Sequence, residues 1–301
     1  MKLHFTKMQG CGNDYVYVDG EKELIPSEKK SKLAVMVSDR HFGIGSDGLI
    51  FINPVNEDDI DFEMEMYNAD GSRSEMCGNG IRCVAKYVYD KGLTDKKNLV
   101  IVSAGKKKYI DLTTGSDGKV ISVRVDMGAP ILEPSKVPVS LDANVCGKLP
   151  NTEFEGYAVI NSEITVDGKK WKVTCVSMGN PHAVVFLDKD VDLNTFDIEH
   201  TGPLFENHEL FPNRINTEFV KIDDRNNVHM RVWERGTGET LACGTGCCAT
   251  SVACILNGLT DNKVTVHVLG GDITCSWQGR GDSSVIMEGP ATTVFEGTIE
   301  I

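Results

Sequence analysis

Long hydrophobic runs are missing from this 301-residue chain. No stretch of 18 consecutive apolar residues occurs, so no transmembrane helix is expected and no membrane partner. The opening residues Met1-Lys2-Leu3-His4-Phe5-Thr6-Lys7 lack the apolar core of a secretory signal, which points to a cytoplasmic protein. Basic charge is scarce as well: 31 Lys and Arg stand against 44 Asp and Glu, a net charge of −13. A phosphate backbone needs a basic surface, so nucleic acid is not an expected partner. The one basic run, Lys106-Lys107-Lys108, is short and falls between strand signals, as a solvated strand edge or turn does. Ten cysteines are present, yet no Cys-x-x-Cys. Without a signal peptide they do not read as a disulfide framework. Cys243, Cys247 and Cys248 cluster, but no suitably spaced second ligand set accompanies them, so no metal is expected. The glycine-rich run Gly43-Ile44-Gly45-Ser46-Asp47-Gly48 precedes a strand, whereas a dinucleotide fingerprint follows one and opens a helix. It also lacks the Lys-Ser/Thr of a phosphate loop. No cofactor is expected.

What the chain does contain is one unit in duplicate. Cys77-Gly78-Asn79-Gly80 aligns with Cys243-Gly244-Thr245-Gly246. An aromatic residue precedes each cysteine at the same interval, Tyr67 and Trp233. At another shared interval, Leu93-Thr94-Asp95 and Leu259-Thr260-Asp261 follow. Each copy reads as strand, polar loop, Cys-Gly-x-Gly, helix, turn, strand, and repeats decide architecture before any other signal. Strands are expected at 3–8, 15–19, 49–52, 62–67, 99–103, 108–113 and 119–126 in the first half. Ser27 is read as the cap of a helix running to Arg40. Ile81, Val84, Ala85 and Val88 mark one apolar face of the helix after Cys77, which Gly92 ends. Residues 128–152 carry four prolines and no period, as a domain crossing would. The second half is expected to hold strands at 157–160, 171–178, 183–187, 216–222, 228–233, 263–269, 272–277, 284–288 and 294–299. A short helix is placed at 199–208, and the helix after Cys243 shows Ala249, Val252, Ala253 and Leu256 on one face. The expected fold is α+β: two pseudo-symmetric domains, each a mostly antiparallel, barrel-like sheet around a central helix. The first spans 1–128 with the C-terminal strand 289–301 and carries Cys77. The second spans 129–288 and carries Cys243.

A cysteine ahead of two glycines at a helix start meets unpaired amides and the positive end of the helix dipole. Both are expected to lower its pKa and to offer a carboxylate site. Taken singly, each cysteine could equally be an inert buried thiol; the matched duplication favours function. Two equivalent acid/base groups on opposite faces of one carbon invert a stereocentre: one thiolate removes a proton and the other thiol returns one. Helix N-terminal amides would stabilise the carbanion through the substrate carboxylate. Asn13, Asn68, Asn180, Asn216, Glu234 and Arg235 lie in the flanking loops. Arg235 can clamp a carboxylate and Glu234 can bind an ammonium, although each asparagine alone also fits turn chemistry. His182 reads as structural or as a neighbour of a thiol. The set suits a zwitterionic amino acid.

These residues carry a family resemblance. Gly12-Asn13-Asp14, Asn68-Ala69-Asp70-Gly71-Ser72, Cys77-Gly78-Asn79-Gly80, Met178-Gly179-Asn180-Pro181-His182, Arg214-Ile215-Asn216 and Glu234-Arg235-Gly236-Thr237-Gly238-Glu239 resemble the diaminopimelate epimerase family, and so does Ala242–Gly246. The resemblance covers essentially the whole chain. It implies a cofactor-independent epimerase interconverting LL- and meso-diaminopimelate, on the route to lysine and peptidoglycan precursors, in a cytoplasmic homodimer. It further implies Cys77 and Cys243 as the acid/base pair, with His182 and Glu234 supporting the thiols. The reacting carboxylate would meet Gly78, Asn79, Gly244 and Thr245, and the distal end Asn13, Asn68, Asn180, Asn216, Glu234 and Arg235. Gly48 departs from the glutamine that some members carry, so any side-chain contact there is lost. A racemase of proline or hydroxyproline type is the alternative; Glu234 and Arg235 would have nothing to bind there. A redox or metal-responsive cysteine protein is a third reading, disfavoured by the absent Cys-x-x-Cys.

Overall fold

The computed structural model describes residues 2–74, 77–280 and 282–301. Met1, the first residue of the N-terminal stretch discussed above, lies outside the described residues, as do Glu75, Met76 and Gly281. The described residues form four helices and a mixed set of strands, an α+β fold. In chain order they are β1 (Lys2–Gly10), β2 (Asn13–Asp19), α1 (Ser27–Ser38), β3 (Gly48–Pro54), β4 (Phe62–Asn68), β5 (Arg73–Ser74), α2 (Gly78–Asp90), β6 (Asn98–Ser103), β7 (Lys106–Thr114) and β8 (Val120–Asp126). There follow β9 (Val145–Lys148), β10 (Glu155–Ala158), β11 (Ser162–Val166), β12 (Lys169–Ser177), β13 (Pro181–Phe186), α3 (Ile198–Glu206), β14 (Asn216–Ile222), β15 (Asn227–Glu234) and β16 (Gly238–Thr240). Last come α4 (Gly244–Leu256), β17 (Lys263–Val268), β18 (Gly271–Ser276), β19 (Ile286–Gly289) and β20 (Thr292–Glu300). The chain divides into two compact units: residues 1–125 with 288–301, and residues 126–287.

In the first unit β1 pairs antiparallel with both β2 and β20. Its hairpin with β2 turns on Cys11 and Gly12, both at left-handed φ (52° and 82°). That is the backbone of a type I′ two-residue loop, and it closes on the pair Gly10↔Asn13. β2 runs parallel to β3, and β4 parallel to β6; β3–β4, β6–β7 and β7–β8 are antiparallel. α1 lays Leu33, Ala34 and Val37 over Val16, Val18, Leu49 and Phe51 in one apolar cluster. Its start and end both differ from expectation. Pro26 stands at the cap position and Ser27 is the first helical residue, making no capping bond. The helix stops at Ser38 because Asp39 leaves helical geometry and its carboxylate takes the amides of His41 and Phe42. Arg40 is thereby freed from the helix.

The second unit repeats these pairings in its own strands. β12 and β13 are antiparallel, β13 and β14 parallel, β14 and β15 antiparallel, and β15 and β17 parallel. β9 and β10 form a separate two-stranded hairpin. Trp171, Phe196, Phe205 and Phe219 meet mostly edge-to-face at the centre of its core.

Both cysteine helices depart from the one-faced pattern. In α2 every residue from Gly78 to Val88 is buried, including Arg82, Cys83 and Lys86. In α4 Cys247, Cys248, Thr250, Ser251 and Cys254 are buried alongside the expected apolar face. A helix covered on all sides is the core of its unit rather than a surface element. Among the described residues, no helix is long and apolar enough to cross a membrane.

Candidate active site

Each Cys-Gly-x-Gly places its cysteine at the N-cap of its helix with extended backbone, φ −133° at Cys77 and −115° at Cys243. Cys77 is half-buried, and its sulfur accepts from the amide of Gly80 at 3.2 Å, the bond a serine or aspartate cap usually takes. Its thiol donates to Asn13 Oδ1 at 3.0 Å. The orientation of that asparagine is fixed from behind. Asn13 Nδ2 donates to Asp47 Oδ2 at 2.7 Å, and Asp47 is in turn held by Arg40, which also bridges to Asp14. Lys7 completes the cluster by pairing with Asp14. Burial pushes the Asp14 carboxyl up, but hydrogen bonds from Lys7 and Arg40 outweigh it and hold the group below its ordinary value. Tyr15 is buried beside Asn13 and Cys77. Asn68 ends β4 and donates to Ser72 Oγ at 3.0 Å.

The second thiol has different company. Cys243 is almost fully buried. Its sulfur lies 3.5 Å from Thr245 Oγ1. The Glu234 carboxylate accepts from the Thr240 hydroxyl at 2.5 Å and lies beside the Cys243 thiol. Behind them His182 Nδ1 lies 2.7 Å from Glu218 Oε1, and His182 Nε2 lies 3.0 Å from Asn180 Oδ1, with both the histidine and Glu218 fully buried. Asn216 ties this side together: Nδ2 donates to Pro181 O at 3.0 Å and Oδ1 accepts from the Arg235 amide at 2.8 Å. Each end of that amide keeps one further bonding position. Arg235 itself donates through Nη1 to Asn213 O.

The expectation of an acidified thiol fails at Cys243. Burial, followed by the negative charges of Glu234 and Glu218, drives its pKa well above the ordinary cysteine value; the opposing pull of Thr245 and of the Gly246 amide is smaller. The helix terminus acts in the expected direction, but desolvation outweighs it. Glu234 is raised as well, first by burial, against the hydrogen bonds from Thr240 and Cys243.

The structure thus gathers Asn13 with Cys77 in the first unit, and Asn180, His182, Glu234, Cys243 and Thr245 in the second. Asn79, Gly78 and Gly244 are buried in the first turns of α2 and α4. Four neighbours were given no role from the sequence. Asp47 lies in the glycine-rich run and Thr240 ends the Glu234–Thr240 motif, but neither was singled out, and Tyr15 carries no motif of its own. Glu218 did leave a signal: it is a carboxylate inside a strand buried from Asn216 to Val220. Among the described residues no group of three or more His, Cys, Asp or Glu side chains could hold a metal ion.

The fold is shared with solved proteins of low sequence similarity. A phenazine biosynthesis protein of the PhzF family from Bacillus anthracis superposes with a TM-score of 0.68 at 15% identity, covering 100% of both chains. A hydroxyproline epimerase from Agrobacterium vitis superposes at 0.67 with 13% identity, over 99% of this chain and 92% of that one. Sequence comparison is more specific. The diaminopimelate epimerase family model matches residues 5–133 and 174–294. A diaminopimelate epimerase from Agathobacter rectalis is 54% identical over 300 residues, spanning 99% of this chain and 100% of that one. Another from Acetivibrio thermocellus is 50% identical over 299 residues, 99% of each. The chain belongs to the diaminopimelate epimerase family and is an isomerase of that type.

Proposed function

We propose that the protein interconverts LL- and meso-diaminopimelate with Cys77 and Cys243 as the two acid/base groups and without a cofactor. The observation that carries this reading is the thiol at the N-cap of each core helix, in a chain half-identical to diaminopimelate epimerases over its whole length. One sulfur, as thiolate, takes the α-proton; the C–H electron pair passes into the adjacent carboxylate. The other sulfur, as thiol, gives its proton to the opposite face of the same carbon. A new C–H bond forms and the two sulfurs have exchanged protonation states. Amides of Gly78, Asn79, Gly244 and Thr245 receive the carboxylate and its growing charge. Asn13, Asn68, Asn180, Asn216, Glu234 and Arg235 hold the distal ammonium and carboxylate, while His182 and Glu234 support the thiols. The two units are pseudo-symmetric domains, each a sheet closed around its cysteine helix. The recurrence of parallel pairs β2–β3 and β13–β14, and β4–β6 and β15–β17, supports that reading. The protein works as a cytoplasmic homodimer.

Incubation with LL-diaminopimelate in D2O, followed by NMR, tests the reaction. Deuterium at one α-carbon together with appearance of the meso isomer is the expected result. Exchange in proline but not in diaminopimelate transfers the assignment to the proline-type racemases, and exchange in neither from folded, reduced protein overturns it.

A further inference from the structure

Glu206 is the last residue of α3, and its buried carboxylate is met by three donors from three separate segments. Arg214 Nη1 and the Gly236 amide reach Oε1 at 2.9 and 2.8 Å, and Trp233 Nε1 reaches Oε2 at 2.7 Å. A guanidinium, a main-chain amide and an indole can only donate, so both oxygens serve as acceptors. The proposed proton transfers do not involve this group. What it holds is the loop that carries Arg235. Glu234 is the last residue of β15 to pair with β16, opposite Gly238. Beyond that pair the chain turns, and the Thr237 amide returns to the Glu234 carbonyl at 3.0 Å. Gly236 stands third in this turn at φ 78°, the left-handed value that a type II turn asks of that position. Types I and II differ in the direction of the central peptide, here the one joining Arg235 to Gly236. Its N–H is the amide that donates to Glu206, so flipping the peptide would break that bond. The same carboxylate acts on the Arg235 side chain by a second path. Arg235 Nη1 donates to Asn213 O at 2.9 Å, and the next residue, Arg214, is the one bound to Glu206.

We propose that Glu206 is a positioning residue for substrate recognition: by holding the Arg235–Gly236 peptide and the Asn213–Arg214 segment together, it aims the Arg235 guanidinium at the distal carboxylate of the substrate. Glu234 is held separately, by its strand pairing and by the Thr240 hydroxyl. Loss of Glu206 therefore loosens the grip on the distal end and leaves proton transfer at the α-carbon in place. Such a loss falls on KM and spares kcat.

The inference rests on the reading of Arg235 as the distal clamp, and a double-mutant cycle separates the two. KM and kcat for LL-diaminopimelate are measured in the unaltered chain, in Glu206→Gln, in Arg235→Gln and in the double variant. Glutamine keeps the size of the side chain but turns an amide NH2 towards one of the donors. Glu206→Gln is expected to raise KM about tenfold, as the loss of one hydrogen bond to a charged group does, with kcat changed less than about twofold. The double variant is expected to have the KM of Arg235→Gln alone, because Glu206 then has nothing left to aim. KM increases that multiply in the double variant, or a kcat that falls about tenfold in Glu206→Gln, mark a merely structural residue and refute the proposal. A raised KM in Arg235→Gln beside an unchanged one in Glu206→Gln overturns the inference alone. An unchanged KM in Arg235→Gln, or no turnover by the unaltered chain, defeats the underlying reading and the inference with it. If Glu206 variants do not fold, Gly236→Ala addresses the same peptide from its exposed side. A Cβ there has room, its nearest neighbour being Arg214 Nη2 at 3.7 Å, so only the positive φ resists it. The same rise in KM is expected, and its disappearance in an Arg235→Gln background; an unchanged KM in Gly236→Ala overturns the proposal.

Discussion

The two thiols sit at the same place on their helices, but their neighbours give them unlike chemistry. Cys77 donates to the Asn13 amide oxygen, whereas Cys243 lies beside Thr245 and Glu234 with the His182–Glu218 contact buried behind them. Matched backbones carry different second contacts, as the proposed acid/base pair, one thiolate and one thiol at the start of each turnover, would require. Cys77→Ser and Cys243→Ser are each expected to abolish epimerisation nearly completely. Either variant retaining more than about a tenth of the rate, roughly 1.4 kcal/mol of barrier, would contradict a two-base scheme. Asp47 acts at one remove, by fixing which end of the Asn13 amide meets the sulfur. Removing a hydrogen bond to a charged group is worth about 1.5 kcal/mol. Asp47→Ala should therefore lower kcat about tenfold while the melting temperature changes little; steady-state kinetics giving an unchanged kcat would show that the amide needs no such brace. The cysteines and their loop partners were legible in the sequence because the duplication marks them and the motifs are local. The contacts of Asp47 and Glu218 were not, because each meets its partner across a long stretch of chain, Asp47 with Asn13 and Glu218 with His182; Thr240 is close to Glu234 along the chain, but nothing in its motif marks the contact.

At the scale of elements, Gly48 explains itself. It opens β3 opposite Asn68 of β4, and a Cβ there would lie 2.1 Å from the Tyr67 carbonyl oxygen and 2.9 Å from the ring of Tyr15. A main-chain oxygen within a paired sheet cannot step aside as a flexible side chain can. Gly48→Ala is thus expected to cost about 3 kcal/mol of stability, measurable by urea denaturation; a loss below about 1 kcal/mol would mean that the strands separate easily. The glutamine borne by some family members cannot simply be restored on this backbone. Most strands and all four helices could be read from alternation, helical spacing and glycine stops. β11 escaped although Ile164 and Val166 alternate inward, because a five-residue strand in the shadow of a strong neighbour gives little periodicity. β5 and β16 are shorter still. The full burial of α2 and α4 was also invisible, since Arg82, Lys86, Thr250 and Ser251 look like solvent-facing residues until their partners are known. Lys86, for example, spends its ammonium on Asp90 and the Val120 carbonyl.

For the molecule as a whole, buried acids of high pKa set the alkaline limit. Burial raises Cys83 to about 11 and Cys175 to about 12, and both are fully enclosed. In the unfolded chain such thiols ionise near pH 8.5. Because the folded values are raised, the stability linked to these groups is complete below the unfolded pKa and is lost as pH climbs through the folded values. The melting temperature should hold up to about pH 8.5 and then fall steadily towards pH 11, less steeply in Cys83→Ala. A melting temperature constant between pH 8 and 11 would show that these thiols do not couple to folding. The chain divides into two compact units, and the last strand, assigned to the first of them from the sequence, is held there by the register from Lys2↔Glu300 to Gln9↔Thr292. That return bears on the order of synthesis. Domains usually fold in the order in which they leave the ribosome. Here the first unit waits, with β1 lacking its β20 neighbour, until the whole of the second has been translated. The half begun first is finished last, and a nascent chain stalled anywhere before β20 exposes the bare edge of β1 as a place for chaperones, or for another nascent chain, to bind.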